Sequence, residues 1–183
     1  MWWFCQLAIA VQHVHARDVV HLDIKPANLL LAKDWSLRLA DFGLSVLTTT
    51  KKLHIKDTFV GTPAYSSPEQ MQGLPADQKT DVWAVGVILY MLCTLVPPFG
   101  DIQAKAGPIQ GKLSMDEAHQ FHQLRKRILT GSYAPIPTHF SKDLGDLLAK
   151  LLAKKARFRP TMDEVLALPF VKKHLKNVKY YKN

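Results

Sequence analysis

The sequence predicts an α+β domain that is mainly helical, and three observations carry that expectation. Several helix starts are marked by capping boxes, one long run is apolar nearly all round, and the strand-like runs are few, short and bunched near the start of the chain. At 183 residues, with 48% hydrophobic and 21% charged, the chain can enclose one core and shows no compositional sign of disorder.

Taken in order, the run MWWFCQLAIAVQ opens the chain, and Leu7, Val11 and Val14 recur at i, i+4 and i+7. They form one stripe of a helix reaching about Ala16. The run lacks a basic leader and a small-residue cleavage site, and His13 and His15 interrupt it before it could span a bilayer, so it reads as a helix of the fold. DVVH and NLLLA are too short and too apolar for helices and read as small strands, followed by SLRLA with leucines alternating at 37 and 39. From Ser45 to Pro63 a polar stretch shows no sustained period, and a loop of that length in a compact domain is usually functional or disordered.

Beyond it, Ser67 with Gln70, Ser114 with Glu117 and Thr161 with Glu164 predict helices starting near 68, 115 and 162. TDVWAVGVILYMLCTL is apolar on every side, as a helix at the centre of a helical body must be, and stops before Pro97 and Pro98. Gly100 to Lys112 reads as a loop, and Leu144, Leu147, Leu148, Leu151 and Leu152 form a further helical stripe. No repeat or internal boundary appears.

Cys5 and Cys93 lie far apart in apolar segments, which argues against a disulfide framework and fits a reducing, intracellular and cytoplasmic setting. The formal charge of +9 is uneven: from Lys142 onward 11 Lys and Arg face 4 Asp and Glu, giving +7. With no stacking aromatics between these lysines, the excess reads as a solvated helical face and a basic tail, not a nucleic-acid surface. His119 and His122 stand at i and i+3, but no third metal ligand is in view.

The stretch HLDIKPANLL, His21 to Leu30, holds Asp23, Lys25 and Asn28 at fixed offsets where strand pairing would favour none of them. DFG follows 13 residues after Asn28, at Asp41 to Gly43, then GTPAYSSPE from Gly61 to Glu69, with TDVWAVG and RFRPT behind. In this order the pieces resemble the large, C-terminal lobe of eukaryotic protein kinases over essentially the whole chain.

The resemblance implies a catalytic loop at 21–28, an activation segment at 41–69, a helical remainder at 70–175 and a basic tail at 176–183. It implies ATP and magnesium as cofactors and serine or threonine of protein substrates as acceptor. Asp23 would orient the attacking hydroxyl, Lys25 would meet the transferring phosphate, and Asn28 and Asp41 would hold magnesium through hard oxygen ligands. Leu30 would form the floor of the adenine pocket, and Lys25 with Thr62 marks the serine/threonine version of the loop. Asp81 is expected to brace the catalytic loop, Phe42 to pack beside His21, and Glu69 to pair with Arg159. WFCQLAIAVQHVH, DTFVGTPAYSSPE and the stretch from LTGSYAPIP to RFRPT resemble the NIMA-related group.

Two departures matter. Leu22 stands where many kinases carry an arginine that reads an activation-loop phosphate, so phosphorylation at the candidate phosphosite Thr58 is expected to raise activity only modestly. The sequence also contains no GxGxxG. The resemblance therefore implies a kinase piece that lacks the smaller lobe and transfers phosphate negligibly by itself, the alternative being a binding or decoy module. Oligomeric state is open, and no membrane partner is expected.

Overall fold

A computed structural model describes residues 1–47, 62–100, 114–176 and 178. Seven α-helices are described: α1 Trp2–His15, α2 Pro68–Met71, α3 Gln78–Thr94, α4 Met115–Thr130, α5 Lys142–Leu151, α6 Met162–Ala167 and α7 Pro169–Leu175. Four short strands stand beside them: β1 Val19–Val20, β2 Leu29–Leu31, β3 Leu37–Leu39 and β4 Val46–Leu47. Single 3-10 turns lie at 26–28, 63–65 and 156–158.

The core is organised around α3. Val82, Trp83, Val85 and Val87 are all fully buried, because a helix apolar on every side can shed water only by being surrounded. α1 and α5 pack on it, and α1 also meets β3, α6 and α7. Gly86 sits where α3 and α5 come closest: a Cβ there would lie 2.8 Å from Leu151 Cβ. A glycine in mid-helix costs about 1 kcal/mol against alanine, and here it is what allows the approach. α3 ends where Leu95 turns left-handed at φ 62° and its N–H caps Met91 O at 2.8 Å, just ahead of Pro97 and Pro98.

All three capping boxes read from the sequence form, at Ser67–Gln70, Ser114–Glu117 and Thr161–Glu164. A fourth, Asp77 with Thr80, opens α3. It escaped the sequence reading because threonine replaces the usual glutamate or glutamine at the third helical position.

The strands, though bunched in sequence, form two sheets. β1 pairs antiparallel with β4, Val19 opposite Leu47, and β2 with β3, Leu30 opposite Arg38, as two separate two-stranded ladders. β4 corrects the reading of the stretch from Ser45 as loop throughout. Two residues are too few to show alternation, and their pairing is dictated by the open edge of β1, 26 residues upstream. The expected loop over Gly100 to Lys112 lies, past Gly100, outside the described residues. His119 and His122 are both exposed on α4, and among the described residues no group of three potential ligands could hold a metal. No helix among them is long and apolar enough to cross a membrane.

Candidate active site

The site begins with a carboxylate that never meets solvent. Asp81, in the first turn of α3 and 1% exposed, accepts the backbone N–H of His21 at Oδ2 (2.8 Å) and that of Leu22 at Oδ1 (2.9 Å). His15, the last residue of α1, donates Nε2–H to the same Oδ2 at 2.8 Å. Leu22 adopts φ 67°, a conformation that costs a non-glycine residue about 1–2 kcal/mol, and the Asp81 bonds are what hold it there. Its side chain is 5% exposed.

His21 is fully buried and relays this order forward. The N–H of Asp23 donates to His21 Nδ1 at 3.3 Å, which makes Nδ1 the acceptor and leaves Nε2–H to donate to Ala40 O at 3.2 Å. The Phe42 ring packs 4.7 Å from the imidazole.

Around Asp23 the predicted polar residues converge. Lys25 Nζ lies 2.7 Å from Asp23 Oδ2 and donates to Thr62 Oγ1 at 3.2 Å, while Thr62 Oγ1 donates to Asp23 Oδ1 at 3.4 Å. Pro26 starts the 3-10 turn that brings Asn28 back over the chain, and Asn28 Nδ2 donates to Asp23 O at 2.8 Å and Asp23 Oδ2 at 3.1 Å. Asp23 and Asn28 are buried, so in this low-dielectric setting the ammonium beside the carboxylate is worth more than at a surface.

Asp41 is joined to this cluster through backbone: Ala40 N–H donates to Asn28 O at 2.9 Å. Asp41 is exposed and left-handed, φ 63°, with Oδ1 accepting from Gly43 N–H at 3.2 Å. A Cβ on Gly43 would stand 3.1 Å from that oxygen, so the glycine leaves the carboxylate room. Leu30, on β2, is 54% exposed and belongs to no hydrogen-bonded cluster at the site. The candidate phosphosite Thr58 lies outside the described residues.

The donor set suits magnesium. Asn28 spends its amide nitrogen on Asp23, which leaves Oδ1 as a neutral hard donor, and Asp41 presents a carboxylate with one oxygen that no described residue engages. Two protein oxygens and no nitrogen or sulfur match an ion that keeps most of its shell for water and phosphate.

Behind the site, Glu69 and Arg159 form a buried two-pronged pair, Oε1 to Nη1 at 2.6 Å and Oε2 to Nη2 at 2.8 Å. Burial alone would raise the Glu69 pKa, but the Arg159 bonds and charge, helped by a backbone bond and the Thr80 hydroxyl, hold it below the ordinary value. Two positioning contacts escaped the sequence reading. His15 reaches Asp81 across 66 residues, and Ser66 Oγ donates to Thr62 O at 3.1 Å. A polar residue at the end of an apolar helical stripe could have signalled His15, whereas nothing in the sequence sets Ser66 apart from its neighbour Ser67.

A family model described as protein kinase domain matches residues 2–171. The chain is 37% identical over 174 residues to serine/threonine-protein kinase Nek1 of Mus musculus, covering 94% of this chain and 13% of that protein. It is 36% identical over 171 residues to Nek2 of Mus musculus (91% and 34%) and 36% identical over 170 residues to a probable serine/threonine-protein kinase nek2 of Dictyostelium discoideum (91% and 36%). The chain thus spans between 13% and 36% of the length of these three relatives.

Proposed function

The chain belongs to the protein kinase family, and from that premise we propose that it forms the large lobe of a serine/threonine kinase, transferring the γ-phosphate of ATP to serine or threonine hydroxyls of protein substrates. The observation that carries this reading is the cluster at Asp23, where one buried carboxylate meets an ammonium, an amide and a hydroxyl within 3.4 Å. Phosphoryl transfer asks the protein for placement and charge more than for covalent chemistry.

In this reading Asp23 accepts a hydrogen bond from the substrate hydroxyl and takes its proton as the bond to phosphorus forms. Lys25, already against Asp23 and Thr62, offers its one remaining N–H donor to the transferring oxygens. Thr62 holds Lys25 in place, and Asn28 keeps Asp23 from rotating. Asn28 Oδ1 and the Asp41 carboxylate would hold magnesium, which when bound offsets the charge of the triphosphate. Leu30 offers an apolar face to the adenine ring. With no GxGxxG in its sequence, the chain supplies one side of the nucleotide site, and the other side is assigned to a glycine-rich lobe.

The test compares turnover on a serine/threonine peptide by the 183-residue chain and by the same chain fused to the glycine-rich lobe of a Nek relative. The fusion is expected to be active and the chain alone negligible. Comparable turnover by the two would reject the division of the site, and an inactive but folded, ATP-binding fusion would favour a binding module.

A further inference from the structure

Two large apolar residues are out of character for where they stand. Leu95 and Trp35 both adopt the left-handed conformation, φ 62° and 63°, which is strained for a bulky side chain and free for glycine. The backbone at both places asks for no more than glycine. Leu95 N–H caps Met91 O at 2.8 Å, and Trp35 N–H closes the β2–β3 turn on Ala32 O at 2.9 Å. Neither side chain is drawn into the core in return: Leu95 is 87% exposed and Trp35 61%.

Both border one groove. A cleft of about 320 Å³ runs between α1, β2 and the last turns of α3, with Trp3, Leu7, Leu29, Leu31, Leu92 and Leu95 in its walls. Trp35 adjoins it through Trp3, the ring centroids lying 6.4 Å apart and Trp3 Nε1–H donating to Trp35 O at 3.3 Å. That bond satisfies the N–H of the wall tryptophan, and among the described residues no charged side chain lines the groove.

We propose that this face is where two copies of the chain pair about a two-fold axis, each setting its projecting Leu95 and Trp35 against the groove of the other. Shape favours a second copy, because a concavity bordered by apolar projections is complementary to itself, as a two-fold contact requires. Charge favours it too. At +9 each, two chains repel wherever basic surfaces meet, and a face without charged lining lets them close with no like charges apposed. The area suffices: at their exposed fractions Leu31, Trp35, Leu92, Leu95 and the adjoining Val96 present on the order of 600 Å² per chain, so a pair buries about 1,200 Å², the lower end of specific interfaces. A patch of that size is also the most that a monomer ordinarily leaves in water. The pairing is independent of the proposed phosphoryl transfer.

Sedimentation equilibrium of the 183-residue chain should show monomer and dimer exchanging in the micromolar range. The association should tighten as salt rises from about 0.05 to 0.5 M, because screening relieves the repulsion between two basic chains. Leu95→Gly removes apolar surface and relieves the left-handed strain together, so it should weaken pairing at least about tenfold without lowering the thermal midpoint of the monomer. Trp35→Gly should weaken it to a similar degree. Phe158→Ser changes an exposed ring outside the groove and should leave the pairing as it is. A chain that stays monomeric at hundreds of micromolar, its groove left to some other partner, would overturn the proposal. So would a dimer indifferent to Leu95→Gly and Trp35→Gly, one that Phe158→Ser weakens equally, one that loosens with salt, or growth past two copies, since a two-fold contact closes at the dimer.

Discussion

Asp23 and Asp41 are both carboxylates within one short stretch, yet their surroundings differ sharply. Asp23 is buried and held by Lys25, Asn28 and Thr62, whereas Asp41 is exposed and turned left-handed. In the proposed fusion, Asp23→Asn should lower turnover by roughly 10²–10⁴ with ATP affinity nearly unchanged, because in the proposed transfer the lost charge acts on the substrate hydroxyl. Asp41→Asn should instead weaken magnesium-dependent ATP binding. Parallel loss of both properties in both variants, measured by steady-state kinetics and nucleotide titration, would contradict the division. Glu69 gives a residue-scale prediction for stability. Its folded pKa lies below the ordinary 4.5, so the unfolded chain binds the proton more readily. The stabilisation is then fully present above about pH 4.5 and is lost as pH falls through the folded pKa. Urea midpoints between pH 6 and 3 should fall steeply for the native chain and more shallowly for Glu69→Gln, which itself should cost about 3–5 kcal/mol near neutrality because Arg159 is left buried and unpaired.

Secondary structure here was legible where a standard local signature marked it, and illegible where a distant partner set it. Ser67, Ser114 and Thr161 announce their helices because a capping box is complete within four residues. β4 is set by an edge far back in the chain, so Val46 and Leu47 carry no signal of their own. The site divides the same way: Asp23, Lys25 and Asn28 sit within one motif, while the Thr62 contact became an expectation only through family likeness, and His15 remained hidden. Glycines in α3 and α5 make the distinction measurable. Gly86→Ala gains helix propensity but drives a Cβ to 2.8 Å from Leu151 Cβ and 3.0 Å from Leu152 Cδ2. Leu151 Cβ is anchored to backbone and cannot swing aside, so a net loss of about 1–2 kcal/mol is expected. Gly145→Ala meets nothing within 4 Å and should gain about 0.5–1 kcal/mol. Thermal unfolding of the two variants should therefore move in opposite directions, and a shared direction would show that packing at Gly86 is slacker than its distances imply.

At the scale of the molecule, α3 serves as both the centre of the core and the support of the site. The same helix whose Val82, Trp83 and Val85 are sealed from water carries Asp81 at its first turn. α1 and the loop that follows β1 and bears Asp23 therefore meet on one carboxylate, which joins stretches about 60 residues apart in sequence. That arrangement has a consequence for proton exchange with solvent. The amides of His21 and Leu22 lie in no helix or ladder, where backbone protons ordinarily trade with water quickly, yet both are bound to a group that opens only when α3 does. In deuterium oxide they should exchange as slowly as the amides at the middle of α3. Asp81→Asn, which cannot accept equally at both side-chain atoms, should release one or both of them while the α3 amides stay protected, so that the loop bearing Asp23 loosens on a helical body that remains folded.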